Sequence, residues 1–177
     1  MENNINIRPV ERQELPTLLE ISRNTFIHNY GHLNDPVYFQ QYLDKTFTLD
    51  QFQAEWSDPH GLFFWTLVGN EYAGYCKFML EAAVKGLEDA GNQVLEIQRI
   101  YVDDRFQKLG LGKLMLQKAQ EIAEEKGYEW IWLGVWQDNH KAIKWYQTQG
   151  FETFGTHIFW MGDDPQEDWL MKRKVLK

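Results

Sequence analysis

Gln107-Lys108-Leu109-Gly110-Leu111-Gly112, followed by Lys113, is the segment that most constrains what this chain can fold into. A strand-like run, Val94–Val102, leads into it, and a helical pattern runs from about Gly110 to Lys126 behind it. A strand that ends in a glycine-bearing turn and opens a helix leaves several backbone N–H groups without intrahelical partners, pointing into one small space. The helix dipole adds partial positive charge there, so a pyrophosphate is the ligand that such a geometry suits best. Gly110 and Gly112, lacking Cβ atoms, are expected to let the main chain approach phosphate oxygens and to take positive φ where needed. Taken by itself, a short Gly-x-Gly equally fits a plain glycine-rich turn. The segment lacks the Gly-Lys-Ser/Thr ending of a P-loop and the third glycine of the dinucleotide fingerprint. Neither of those nucleotide classes is expected.

The 177 residues suit one domain spanning 1–177, large enough to bury a core. Hydrophobic residues make up 44% and charged residues 25%, the balance of an ordinary globular chain. Aromatic residues reach 15%, enough to line a ligand cleft as well as fill a core. The one cysteine, Cys76, lies in the apolar run Tyr72–Leu80 and reads as a buried strand residue rather than a nucleophile. It leaves no second thiol for a disulfide within the sequence, which suits a reducing compartment. No apolar run nears the roughly 20 residues of a membrane helix, and Met1–Pro9 lacks the basic-then-apolar pattern of a leader. A cytoplasmic protein with no membrane partner is expected. A net charge of −8 argues against a nucleic-acid partner, whose affinity comes largely from basic residues, and is compatible with a cationic small substrate.

Ile5 and Ile7 alternate with polar neighbours up to Pro9, as in a short strand. Leu15, Leu18, Leu19, Ile21 and Phe26 fall near helical spacing over Glu11 to about His28. Asp35-Pro36 opens a second helix through Phe39, Tyr42 and Leu43, and a third is expected over Asp50–Trp56. Leu62–Val68 and Tyr72–Leu80 read as a hairpin about Gly69-Asn70-Glu71, and Glu81–Asn92 as a loop. Beyond the cradle, Gly127 closes the long helix, Trp130–Val135 is a buried strand, and Asn139–Gln149 is a helix stopped by Gly150. Phe151–Trp160 and Asp168–Val175 make a final strand pair around the turn-rich Gly162-Asp163-Asp164-Pro165. This order predicts an α/β fold with a central, mixed, mostly antiparallel twisted sheet of about seven strands flanked by helices. The cradle then lies at the carboxyl end of a middle strand, where open α/β sheets hold ligands.

The strand–Gln-x-x-Gly-x-Gly–helix unit, followed by Asn139, Tyr146 and Gly150-Phe151, resembles the GCN5-related N-acetyltransferase (GNAT) superfamily over nearly the whole chain. The runs Leu95–Val102, Ile131–Trp136 and Phe159–Asp163 are similar to the bacterial PaiA-type spermidine/spermine N-acetyltransferases. The resemblance implies acetyl-CoA as co-substrate, direct transfer to a small-molecule primary amine, a polyamine such as spermidine or spermine, and neither a metal nor a covalent enzyme intermediate. Backbone groups of Ile100, Tyr101 and Val102 would line the pantetheine arm. Gln107, Lys108, Leu109, Gly110, Leu111, Gly112 and Lys113 would hold the pyrophosphate. Asn139, His140, Lys141 and Ala142 would touch the lower arm, with Tyr146 beside the sulfur. Superfamily members pair through their C-terminal strands, so the resemblance also implies a homodimer.

Part of the case for Tyr146 rests on chemistry alone. Attack of an amine on a thioester builds an oxyanion and expels a thiolate that departs better when protonated. A phenol keeps its proton at neutral pH and can donate it. Tyr146 follows Asn139 by two helical turns, so the two can share a face. The competing reading is a core tyrosine in the apolar patch Ile143-Trp145-Tyr146. The base is expected elsewhere. Related enzymes carry a glutamate where this chain has Gln98, which cannot accept a proton in this range. Glu96, two residues earlier and so on the same strand face, is expected to draw off the proton through a water or to hold the substrate's cationic end. The competing reading makes it a solvent-facing strand carboxylate. Tyr30 and Tyr38 are candidate acceptor-cleft walls. The acidic turn Asp163-Asp164, with Glu167 and Asp168, is a candidate for a polyamine's distal ammonium or else a solvated turn. His28 and His32 are four apart but interrupted by Gly31, so no metal site is expected. Two alternatives stay open: another acceptor (amino acid, amino sugar or protein N-terminus), or a non-catalytic CoA-binding module.

Overall fold

In the computed structural model, which describes residues 4–176, seven strands form one sheet. They are Ile5–Pro9 (β1), Gly61–Val68 (β2), Glu71–Leu80 (β3), Val94–Val102 (β4), Trp130–Trp136 (β5), Glu152–Met161 (β6) and Asp164–Lys174 (β7). Their spatial order is β1-β2-β3-β4-β5-β7-β6. Every neighbouring pair is antiparallel except β4 and β5. The helices are Leu15–Tyr30 (α1), Pro36–Thr46 (α2), Leu49–Ser57 (α3), Leu111–Glu125 (α4) and His140–Thr148 (α5). Strand alternation sorts β2 between two cores. Phe63, Trp65 and Leu67 pack with Leu18, Phe39 and Phe52 of α1–α3, whereas Phe64 packs with Met115, Ala119 and Ile122 of α4. With both faces covered, β2 reads as a continuous apolar run.

The feature that positions the site is where β4 and β5 stop pairing. Their register covers only Val94↔Trp130, Leu95↔Ile131 and Glu96↔Trp132, although β4 continues to Val102 and β5 to Trp136. Just beyond Glu96 the β3–β4 ladder shifts: Phe78 faces Ile97 and Lys77 faces Arg99, which leaves Gln98 as an extra residue. A bulge of this kind bends its strand, and here it turns β4 away from β5. A wedge-shaped gap opens in the middle of the sheet.

Several boundaries differ from the sequence expectation. The first helix begins at Leu15, not Glu11; Arg12–Glu14 forms a 3-10 turn, and Pro16 sits in the first turn, where its missing N–H costs nothing. The last hairpin turns over Gly162-Asp163 alone, so β7 starts at Asp164 rather than Asp168. Pro165 is tolerated because β7 pairs with β5 only from Asp168 onward, leaving it one neighbour there. The loop over Glu81–Asn92 contains a 3-10 turn, Glu88–Ala90, whose Ala90, with Leu87, is buried against Trp132 and Leu170.

Candidate active site

The cradle is built as its sequence demands. After β4, the Asp103 carboxylate accepts a hydrogen bond from the Arg105 N–H at 2.9 Å and starts a 3-10 turn over Asp104–Phe106. The chain then enters α4 through two left-handed residues, Lys108 at φ +70° and Gly110 at φ +79°. Among the described residues, the backbone N–H groups of 108–113 donate to no protein acceptor. They are the free amides of a helix start, with the dipole behind them, and they fit a pyrophosphate. The two glycines do different work. Gly110 needs its positive φ, and a Cβ there would meet nothing within 4 Å. Gly112 is helical, and a Cβ on it would approach the Trp145 ring of α5 at 3.0 Å. Its small size makes room for α4–α5 packing beside its own free amide. Because only the backbone angle is at stake, Gly110→Ala is expected to cost about 1 kcal/mol and lower Tm by roughly 2–4 °C. An unchanged melting curve would refute the need for a left-handed residue there.

A cavity of about 270 Å³ occupies the gap between the diverging strands. Ile97–Tyr101 of β4 and Gly134–Trp136 of β5 form two of its walls, with Asn139, Ala142 and Tyr146 at one end. Phe26, Tyr30, Tyr42, Phe47 and Phe159 form an aromatic wall, and Gln166 and Asp168 of β7 also line it. Tyr146 is half-buried, with its ring 4.9 Å from Trp145 and 5.6 Å from Phe151. Burial pushes its hydroxyl above the ordinary phenol range, so it stays protonated. Asn139 caps α5, its side-chain oxygen accepting from the Ala142 N–H at 3.2 Å. Burial also raises the Tyr30 hydroxyl, which lies beside Asn139.

The gap therefore unites Tyr30, Gln98, Ile100, Tyr101, Asn139, Ala142 and Tyr146 around one space. Val102 ends β4 just outside it, and His140 and Lys141 are exposed at the start of α5. Tyr38 and Asp163 lie elsewhere. Tyr38 sits on the exposed side of α2, where Tyr42, one turn later, faces the cavity, and Asp163 lies in the exposed β6–β7 turn. Glu96 is outside the cavity lining and half-buried; Gln98 Nε2 donates to its carboxylate at 3.0 Å, so the two do share a face. Burial raises the Glu96 carboxyl above its ordinary range. Cys76 is fully buried, and burial holds its thiol protonated. His28 Nε2 lies 3.2 Å from Asp104 Oδ2, and no group of three His, Cys, Asp or Glu is arranged for a metal among the described residues. Sequence reasoning missed Arg99, Gln166 and the cavity position of Asp168. One signal was available: Gly134, a glycine inside a strand, marks a close approach.

The sequence profile of the Acetyltransferase (GNAT) family matches residues 22–151. The chain is 38% identical over 176 residues to an uncharacterized N-acetyltransferase in the pepI 3′ region of Lactobacillus delbrueckii subsp. lactis, covering 97% of this chain and 98% of that one. It is also 38% identical over 69 residues, 38% of this chain and 45% of the other, to the spermine/spermidine N(1)-acetyltransferase of Bacillus subtilis. In fold it is similar to the crystal structure of the PaiA N-acetyltransferase of Thermoplasma acidophilum in complex with coenzyme A. The TM-score is 0.76 over 97% of this chain and 99% of that one, at 20% identity. A profile match across most of the sequence and a relative alike from end to end make this chain a member of the GNAT acetyltransferase family.

Proposed function

We propose that the chain transfers the acetyl group of acetyl-CoA directly to a primary amine on a slender carbon chain, a polyamine such as spermidine or spermine. The observation that carries this reading is the shared space between β4 and β5, lined both by Tyr146 and by an aromatic wall. Acetyl-CoA supplies the activated acyl carbon. Backbone groups on the β5 side of Ile100–Val102 have no strand partner and can bond the amides of an extended arm. The amides of 108–113 hold the diphosphate beside Gln107, with Lys108 and Lys113 adding charge and Asn139, His140, Lys141 and Ala142 meeting the arm. Tyr146 donates its proton to the departing thiolate. Tyr30 and Gln98 stand by the acceptor; Glu96, behind Gln98, reaches the acceptor's cationic end through a water. Tyr38 and Asp163 would meet only the far end of a long polyamine. Support for a polyamine comes from the segment likeness to the Bacillus enzyme, the net charge of −8 and the aromatic wall.

Arg99 favours a second reading. Arg99 lines the cavity while paired with Glu55, so an acceptor carrying a carboxylate, such as an amino acid, would meet a cation there. Thiol release from acetyl-CoA, measured with polyamines, amino acids, amino sugars and peptide N-termini, separates the readings. Release strongest with spermidine or spermine is the expected result. Strongest release with amino acids sinks the polyamine reading, and CoA binding without release with any amine leaves a binding module. Pairing of two copies along β6, where Ile158 and Trp160 are 49% and 58% exposed, is the proposed assembly. Sedimentation of a Trp160→Glu variant as a monomer would support it. The lone buried thiol suits a reducing cytoplasm.

A further inference from the structure

We infer that Asp168 is the group that meets the acceptor nitrogen and takes its proton, and that His157 passes that proton to solvent. The inference rests on the amine-acetylation reading and adds a residue to it. Asp168 lines the cavity with a side chain only 13% exposed, yet its carboxylate accepts no hydrogen bond from the protein among the described residues. A largely buried carboxylate that opens only onto the cavity is best satisfied by a donor held there, and a ligand ammonium is such a donor.

Strand pairing fixes the neighbours. Trp136 faces Asp168 across β5–β7, and Asp168 faces His157 across β6–β7, so the three side chains stand in a row on one face. Gly134 lies two residues before Trp136 on the same face. A Cβ there would stand 3.5 Å from Asp168 Oδ2 and 3.0 Å from His157 Cε1. The missing side chain keeps open the approach from the cavity to the carboxylate. His157 Nε2 is 3.8 Å from Asp168 Oδ2, and its side chain is 43% exposed, so it connects an enclosed acid to water.

The charged and titratable groups around the pair are few. Tyr30 faces Asp168 from α1, and Glu96 faces His157 from β4, where it stabilises an imidazolium. Burial raises the Asp168 carboxyl, opposed by His157, which makes it a stronger base than an exposed aspartate. The bound ammonium first gives one proton to Asp168, which sends it through His157 to solvent and leaves the nitrogen a free electron pair. That pair attacks the acyl carbon as the carbonyl electrons move to oxygen, and the nitrogen, now positive, becomes acidic. A second N–H bond breaks, an O–H bond forms on Asp168, and the nitrogen keeps the electron pair for the amide as the C–S bond breaks and the thiolate takes the Tyr146 proton. The proton then moves to His157 Nε2, through one water or a small rotation, and on to solvent. Glu96 becomes a positioning residue for His157 rather than the base.

The test compares wild type with Asp168→Asn, Asp168→Glu and His157→Gln, using spermidine and butylamine as probes. Three quantities are measured: amine binding by calorimetry, kcat/KM for the amine between about pH 6 and 10, and the Kd for CoA. Asp168→Asn is expected to weaken amine binding at least tenfold and to lower kcat/KM at least about 100-fold. The lower-pH break vanishes while the Kd for CoA stays within about twofold. Asp168→Glu regains part of the loss. His157→Gln lowers kcat with little change in KM and is partly rescued by added imidazole. Amine binding and pH profile unchanged in Asp168→Asn overturn the inference. If that variant cannot bind CoA, an unaltered profile in His157→Gln does so instead. Amine binding that depends on Asp168 without turnover in wild type sinks the acetylation reading and leaves the binding role standing.

Discussion

Replacing Tyr146 with phenylalanine is expected to lower kcat by about 10²- to 10⁴-fold, the range typical of losing a general acid. The Kd for CoA should change by less than about twofold, because the cradle amides are untouched and the ring still packs between Trp145 and Phe151. Only the hydroxyl, which lies in the cavity wall, is removed. The pH dependence carries a second signature. An acid works while protonated, so its contribution is lost as pH rises through its pKa. Burial holds the Tyr146 hydroxyl above the ordinary phenol range, so any activity loss it causes should begin only above about pH 10. Steady-state kinetics with acetyl-CoA and a good amine reads both effects. Wild-type turnover in Tyr146→Phe would remove the tyrosine from the chemistry.

Glu55→Gln should produce the largest loss of stability. Glu55 of α3 reaches under the sheet to Lys77 Nζ at 2.7 Å and Arg99 Nη1 at 3.1 Å. Lys77 is 4% exposed, and its companions are 13% and 23% exposed at the side chain. Removing the carboxylate leaves two enclosed cations facing one another, a change that costs roughly 3–5 kcal/mol when a buried pair is broken. Burial alone would push the Glu55 carboxyl up, but the charges of Arg99 and Lys77 and the lysine's hydrogen bond hold it below its ordinary value. A carboxyl depressed in the folded state stabilises fully above its unfolded pKa, about 4.3, and less as pH falls through the folded value. Urea titrations of both proteins at pH 7 and about pH 3 test this. Wild type should lose much of its advantage over Glu55→Gln at the acid end. Equal stability at neutral pH would mean the triad is neutral in balance. The same substitution frees Arg99 at the cavity wall, so KM for the amine should rise as well.

Much of this molecule was legible in its residues. Turn and cap signals are local: Gly69 at the β2–β3 turn, Gly110 opening α4, Gly127 and Gly150 after the two C-terminal helices all sit at positive φ. Apolar periodicity gave the strands and helices between them, because burying one face of a helix or strand leaves its period in the sequence. The free amides of 108–113 follow from chain direction alone, as the start of any helix has them. That Tyr146 and Asn139 share one side of α5 was legible through their spacing, and both line the cavity.

What the residues did not disclose depends on contacts between distant segments. Nothing near Glu96 announces that β4 and β5 part there; the Gln98 bulge and the far ladder on β7 decide it. Tyr38 and Tyr42 are equivalent by type, and only the side of α2 that packs toward Phe26 selects Tyr42. That Gly112 also makes room for Trp145 of α5 is visible only once the two helices pack. Asp168 read as part of an acidic turn until β7 slid between β5 and β6 and carried it to the cavity. The sequence by itself determined the elements and the glycine-bearing turn that opens α4, because each is written in interactions a few residues long. Tertiary structure alone decided the gap in the sheet and the residues that face it, because strand register and splay are set by pairing across the whole fold.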